Sequence, residues 1–336
     1  MADVRHDIVR IHHVGHVVDD MAAALALYRR LGFVVPPPSY PAMARQEGAE
    51  PEPFGAANTH ADFPGNFLEL ATRVREGDHI PADAKLVPLQ APADVLPKLV
   101  ERIATTSASL AVCLERFEGL HILMFSSPDI DAVATRLTAS GIGHGGVNTV
   151  RRPVETETGT VVETVRYLEI DTRPGSVAEG RVGVAAELDS HIQGARQSDH
   201  PNGAVDLVEA VLCVADSELA AAQARYQDYL DRPIRTDGPA QVFDLDNARL
   251  TLVPESGLAT LLPGEQPAAL PALVAYTVAV RDIAATQNLL RDNGIPLRRT
   301  ASGDPFVPSA NALGTAIIFR EALPPEHATV RGTWPK

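Results

Sequence analysis

The sequence predicts an α+β protein built from four copies of a βαβββ module, and three observations carry this prediction. Each copy opens with an extended apolar run, an aspartate and a helical stretch, at 12–33, 121–142, 207–230 and 273–295. In three copies the aspartate lies 12 residues before a glycine. Aspartate suits a helix N-cap and glycine the left-handed position after the helix. Short strand-like segments and turns follow each helix.

The elements follow in order along the chain. The first module, at about 8–73, places a helix between Asp20 and Gly32 and closes with FLELAT. The second, at about 119–192, has a core-facing helical stripe and closes with RVGVAAEL. Between them lies an insertion, 74–118, in which we expect a helix near 93–105. The polar stretch QGARQSDHPNG separates this half from the third and fourth modules, which span 204–322.

Charge and composition exclude several partners. With 29 basic and 43 acidic residues, the formal charge is −14, so the basic footprint needed for nucleic acid or an anionic membrane is missing. No run approaches the roughly 18 apolar residues of a membrane helix, and we expect a cytoplasmic protein. Cys113 and Cys213 form no CxxC pair, which argues against a disulfide framework or a zinc-thiolate site.

The opening IHHVGHVVDD followed by NFLELAT resembles the first module of the vicinal oxygen chelate superfamily, specifically its glyoxalase-like members. EGLHILMFSSPDI resembles the start of the second module, and HPNGAVDLVEAVLCVAD resembles the segment that opens the second half of longer members. The resemblance covers nearly the whole chain. It implies that the four modules pair into two cupped mixed β-sheets flanked by helices. One cup would lie within 1–192 and the other within 204–322.

The resemblance also implies metal ligands on the first and last strands of a module. The first-strand histidine of the family lies seven residues before the capping aspartate, and here that position is His13. Glu69 falls on the closing strand. Imidazole and carboxylate suit Fe(II), Mn(II), Zn(II) or Ni(II). His12 and His16 are expected on the opposite strand face from His13, because side chains alternate along a strand.

The second module departs from this pattern. Seven residues before Asp129 stands Ile122, and the histidine is His121, one place early. A one-residue slip turns a side chain to the other face unless a β-bulge compensates, and SSP before Asp129 could supply one. On the closing strand we rank Glu187 above Glu169 as the carboxylate. His13, Glu69, His121 and Glu187 would together match the glyoxalase arrangement, with Glu69 or Glu187 moving the proton.

Fewer candidate residues lie elsewhere. Asn58, His60, His191 and His200 are secondary candidates for substrate binding. In the second half, Glu209 and Ala275 occupy the first-strand positions, so we expect that half to be structural or to complete the wall of the pocket. GIGHGG follows a helix and is interpreted as a turn, not as a dinucleotide loop.

Two functions remain open. The first is a metal-dependent lyase or isomerase, or a ring-cleaving dioxygenase, acting on a small oxygenated molecule. The alternative is a small-molecule or drug-binding protein of the same fold that sequesters its ligand without metal. Four modules are compatible with a monomer or a homodimer.

Overall fold

A computed structural model describes residues 6–44, 50–89, 94–156, 159–171, 175, 177–196 and 199–323. The first module comprises β1 (Arg10–Val17), α1 (Met21–Arg30), β2 (Ser39–Met43), β3 (Glu52–Pro53), β4 (Gly55–Asp62) and β5 (Phe67–Val74). The insertion contributes β6 (Lys85–Pro88) and α2 (Leu96–Arg116). The second module comprises β7 (Gly119–Ser127), α3 (Ile130–Ala139), β8 (Asn148–Thr156), β9 (Gly159–Glu169), β10 (Arg181–Ala186) and α4 (Ser190–Arg196).

The second half repeats this plan. The third module comprises β11 (Ala204–Val214), α5 (Leu219–Leu230), β12 (Ile234–Asp237), β13 (Ala240–Asp244), β14 (Arg249–Pro254) and α6 (Glu255–Leu261). The fourth comprises β15 (Ala272–Val280), α7 (Ile283–Asp292), β16 (Arg298–Arg299), β17 (Pro305–Val307) and β18 (Ala316–Glu321). The predicted α+β fold of four βαβββ modules is confirmed.

Each pair of modules meets along its first strands. β1 pairs antiparallel with β7, and each of these strands pairs in parallel with the closing strand of its own module, β5 or β10. In the second half, β11 pairs antiparallel with β15, and these strands pair in parallel with β14 and β18, respectively. A further pair, Leu273 with Leu120, links β15 to β7. Two cups therefore belong to one continuous mixed sheet.

The helix ends explain why the repeat was visible in the sequence. The Asp20, Asp129 and Asp282 side chains accept hydrogen bonds from backbone N–H groups in the first turns of α1, α3 and α7. Gly32 has a φ of 83°, a left-handed value that glycine adopts without a steric penalty. These aspartates therefore satisfy N–H groups that have no partner within the helix.

The two halves share one hydrophobic core. Tyr28 and Phe33 from the first module, Leu207 from the third, and Tyr276 and Phe319 from the fourth lie in the same buried cluster. The boundaries at 192 and 204 stay a prediction about domains. No helix in the described residues is long and apolar enough to cross a membrane.

Bulges occur at matching places in the two cups. Where β1 pairs with β7, the register passes over His12, which is an extra residue on β1. His121 is the corresponding extra residue on β7. Along β11 and β15 the register likewise passes over Val208 and Val274. The bulge in β7 therefore lies at His121 and not at the SSP segment.

Candidate functional site

The first cup contains a cavity of about 330 Å³. Its floor is formed by β1, β4, β5, β7 and β10, and α2 of the insertion covers it with Arg102, Ile103, Thr106 and Leu110. Leu110 is buried against the cup with Cys113, Ile122 and Met124, which holds the helix in place. The predicted helix near 93–105 is thus the start of a longer one that covers this cavity.

A cluster of imidazole and carboxylate groups lies at one end of the cavity. Glu69 Oε2 is 3.7 Å from His13 Nε2, and Glu69 Oε1 is 4.0 Å from His60 Nε2. Asn58 Nδ2 donates to Glu69 Oε1 at 2.8 Å. Only about 14% of the Glu69 side chain is exposed. The structure therefore brings together His13, Glu69, Asn58 and His60.

The strand register explains this convergence. His13 on β1 lies opposite Phe67 on β5, and His60 on β4 lies opposite Glu69. The Phe67 ring stacks on the His13 imidazole with centroids 4.5 Å apart and an interplanar angle of 9°. On its other flank it lies 4.4 Å from the His60 ring. Phe67 fixes both imidazoles beside Glu69.

The expectation that His12 faces away from His13 is wrong. Both side chains line the cavity, and the two Nδ1 atoms are 2.7 Å apart. The bulge at His12 interrupts the alternation of faces along β1. His16, three residues after His13, is buried on the other side of the strand and forms hydrogen bonds with Tyr28 Oη and the Leu313 carbonyl oxygen.

His121 does not reach this cavity. It is fully buried, its Nε2 is 2.8 Å from the Phe117 carbonyl oxygen, and it lines a separate space of about 240 Å³ with Cys113 and Arg116. Burial lowers the pKa of His121 to about 4. The structure therefore separates His121 from His13 and Glu69.

The register identifies which residues occupy the ligand positions in the second module. His13 pairs with Phe67, and Ile122 pairs with Arg181. Ile122 is thus the equivalent of His13, and Gly183, two residues beyond Arg181, is the equivalent of Glu69. A Cβ at Gly183 would clash with the Leu168 carbonyl oxygen and the Met124 side chain, so the backbone leaves no room for a carboxylate there.

Glu187 lies outside the cavity as well. It follows the end of β10, its carboxylate is 3.8 Å from Arg10, and its side chain is 47% exposed. Glu169, which was ranked below it, lines the cavity instead and accepts from Arg181 Nε at 3.1 Å. Burial alone would lower the pKa of Arg181, but the carboxylates of Glu169 and Glu69 raise it above its usual range. The cavity therefore keeps a permanent cation.

Of the four candidates for substrate binding, Asn58 and His60 line the cavity and His191 and His200 do not. His191 is exposed on α4. His200 is buried, accepts from the Val34 N–H at 3.0 Å and lies 3.1 Å from the Asp62 carbonyl oxygen. Burial lowers the pKa of His200. These two histidines lie outside the cavity that Asn58 and His60 line.

The residues present do not fit the metal centre that the family resemblance implies. Two of its four ligand positions hold Ile122 and Gly183, which have no donor atom in their side chains. Among the described residues, no group of three or more His, Cys, Asp or Glu side chains is arranged to hold a metal ion. His13 and Glu69 lie within 4 Å of each other, but the second module adds no ligand to them.

Other cavity residues were not candidates from the sequence. Arg102 lies on the inserted helix, while Tyr167 and Arg181 lie on β9 and β10. Arg181 begins the closing strand β10, but its pairing with Ile122 depends on a register that the sequence does not show. Arg102 had no sequence signal either, because an insertion has no counterpart in the repeat.

Several solved structures are similar to this fold. A hypothetical protein from Staphylococcus aureus matches with a TM-score of 0.54 at 10% identity, over 94% of this chain and 100% of the other. A mutant of 4-hydroxymandelate synthase from Streptomyces coelicolor matches with a TM-score of 0.51 at 14% identity, over 93% and 92%. An Mn(II)-bound glyoxalase from Novosphingobium aromaticivorans gives a TM-score of 0.49 at 12% identity, over 94% and 82%. At these identities the likeness shows a shared fold alone.

The sequence itself gives the family. The profile of the glyoxalase-like domain matches residues 11–230, more than half of the chain. The chain therefore belongs to the glyoxalase-like domain family. No curated protein matches it.

Proposed function

We propose that the first cup is the active site of an enzyme that moves a proton on a small organic molecule with two adjacent oxygens. Glu69 is the base. The observation that carries this proposal is the asymmetry of its carboxylate: Asn58 fixes Oε1, whereas Oε2 accepts no hydrogen bond from the described residues. An anchored carboxylate with one available oxygen inside a cavity is suited to general base catalysis.

The neighbouring imidazoles would bind the substrate oxygens. His13 Nε2 and His60 Nε2 lie on either side of Glu69, within 4.0 Å of its two oxygens. When His12 Nδ1 donates to His13 Nδ1, the proton of neutral His13 must lie on Nε2. A donor N–H would then point toward the oxygen next to the acidic carbon, where it stabilises the charge that develops as the proton leaves.

This arrangement favours a lyase or isomerase over a ring-cleaving dioxygenase. Abstraction of a proton beside a carbonyl needs a base and hydrogen-bond donors, which Glu69, His13 and His60 supply. Dioxygen activation at a two-histidine, one-carboxylate site needs three ligands around one metal ion, and Ile122 occupies one of those positions. The metal prediction therefore has less support than the proton-transfer role of Glu69.

A second candidate function is sequestration of a small molecule without chemistry. The observation that favours it is the stacked arrangement of His13, Phe67 and His60, which presents flat ring surfaces to a ligand. In both cases the ligand is a small molecule held in the first cup.

Exchange of carbon-bound hydrogen tests the proposal directly. The protein is dialysed against a chelator and incubated in D₂O with a panel of 2-oxo acids, hydroxyketones and hemithioacetals, and deuterium incorporation is followed by NMR. We expect Glu69→Gln to slow exchange by about 10²-fold or more, the usual effect of losing a general base. The matched control, Glu187→Gln, alters a carboxylate outside the cavity and should leave the rate unchanged.

The other outcomes discriminate between the alternatives. Binding of a panel compound without exchange in any variant supports sequestration. If exchange appears only after a divalent ion is restored, the proposal that Glu69 acts without a metal is overturned. An equal rate in Glu69→Gln and the unmodified protein also overturns it.

A further inference from the structure

The second cup, expected to be structural, contains a charged cavity of about 610 Å³. The residues on its floor occupy the same strand positions as the site residues of the first cup. Glu209 on β11 is the equivalent of His13, because each lies directly after the bulge in the first strand of its half. Arg249 pairs with Glu209 as Phe67 pairs with His13. Arg320 occupies the place of Ala185.

A buried carboxylate organises this floor. Glu209 is 3% exposed and accepts hydrogen bonds from Thr251 Oγ1 at 2.7 Å and Thr277 Oγ1 at 3.0 Å. Arg249 Nη2 donates to it at 2.9 Å and Arg320 Nη1 at 3.1 Å. Burial alone would raise the pKa of Glu209, but the two guanidinium groups and Thr251 hold it below its usual value.

The two arginines extend from this floor into the cavity. Their side chains are 31% and 30% exposed, while that of Glu209 is 4% exposed. Arg320 Nε is fixed by Asp304 at 2.9 Å. Arg249 Nη1 and Arg320 Nη2 donate to no protein atom within the described ranges. The cavity is therefore offered N–H donors by both guanidinium groups, beside the lining carboxylates of Asp237 and Asp304 and with the carboxylate of Glu209 behind them.

The stability of the fold does not explain why Glu209 forms ion pairs with Arg249 and Arg320 on this floor. A buried ion-pair network is often no more stabilising than packed apolar side chains of similar volume. The neighbouring floor of the same cup is apolar, with Ala275 and Ile318 in a buried cluster beside α6. The charged residues are confined to the open end, next to the cavity.

We propose that the second cup is a separate binding site for a small carboxylate, held by Arg249 and Arg320. A guanidinium presents its N–H groups in a planar fork that matches a carboxylate, and such charge-assisted bonds are stronger than neutral ones. Glu209 and Asp304 fix the orientation of both forks before the ligand arrives. This site is independent of the proton-transfer chemistry proposed for the first cup.

Calorimetric titration with succinate tests the site, with succinamide as a neutral compound of the same shape. We expect succinate to bind and succinamide to bind at least tenfold more weakly. Arg249→Lys keeps the positive charge on the floor but removes the planar fork, so it should weaken succinate binding about tenfold or more. The matched control is Arg281→Lys, an exposed arginine after β15 that pairs with Asp199 and does not line this cavity.

A second variant separates this site from the first cup. Arg102→Gln removes a cation above the first cavity and should leave succinate binding unchanged. Loss of succinate binding in this variant would place the ligand in the first cup and overturn the proposal. Equal affinity for succinate and succinamide, unchanged binding in Arg249→Lys, or no succinate binding by the unmodified protein also overturns it. Circular dichroism of each variant verifies that the fold is retained.

Discussion

Replacing His16 with glutamine is expected to make the protein less sensitive to acid. His16 lies on β1 and is 1% exposed. Its Nε2 donates to the Leu313 carbonyl oxygen at 2.6 Å, and its Nδ1 is 2.9 Å from Tyr28 Oη, which in turn contacts Tyr276 Oη at 2.9 Å. This chain of hydrogen bonds connects the first module to the fourth, and the neutral imidazole completes it by donating at Nε2 and accepting at Nδ1.

The magnitude follows from the shifted pKa. Burial lowers the pKa of His16 from 6.5 to about 4. Below pH 6.5 the unfolded chain takes up a proton at this residue and the folded protein does not, so stability falls as the pH is lowered. The full loss, reached below about pH 4, is about 3 kcal/mol, and about 2 kcal/mol of it is lost by pH 5.

Urea denaturation at pH 7 and pH 5 measures this effect. Glutamine at position 16 keeps a donor and an acceptor but does not titrate, so the variant should lose about 2 kcal/mol less than the unmodified protein between these two pH values. His191→Gln, at an exposed position on α4, serves as the control and should lose as much as the unmodified protein. An identical loss in the His16 variant would show that another group carries the acid response.

Three further substitutions test the architecture. Ile122→His should create a site for one Zn(II) or Ni(II) per chain, at least tenfold tighter than in the unmodified protein by equilibrium dialysis; no gain would refute its equivalence to His13. Leu110→Ala should lower the free energy of unfolding by about 3 kcal/mol, since Leu110 is 1% exposed on the buried face of α2; a similar loss in half-buried Val112→Ala would contradict this. Asp282→Ala should cost about 1 kcal/mol by removing the N-cap of α7, and Asp292→Ala, at the other end of that helix, should not.

The sequence predicted the parts of the fold that depend on local chemistry. Asp20, Asp129 and Asp282 cap their helices because a short carboxylate satisfies N–H groups a few residues ahead. Such contacts span two or three positions and leave a fixed spacing in the chain. The βαβββ repeat followed from that spacing, and the pairing of modules into two cups followed from the family resemblance.

The site was only partly predictable, because strand register depends on contacts between distant segments. His13 and Glu69 meet because β1 and β5 pair in parallel, as the module implies. Glu187 was chosen from a run of small apolar residues in which strand limits are not visible, and β10 ends one residue before it. Arg102 reaches the cavity from an insertion, whose position over the cup no repeat could indicate.

The bulges explain why counting seven residues back from the start of the helix identified a residue that faces the cavity, whereas strict alternation along the strand placed His12 on the wrong face. In each half the residue directly after the bulge of the first strand, His13 or Glu209, faces a cavity. In the first module this residue lies seven positions before the capping aspartate, Asp20. The bulged residue itself is His12 in one half and Val208 in the other, so the bulge belongs to the backbone fold and not to one side chain. Counting from the helix includes the extra residue, whereas strict alternation ignores it. His121, the bulged residue of β7, lies away from the cavity that Ile122 lines, whereas His12, the bulged residue of β1, lines it.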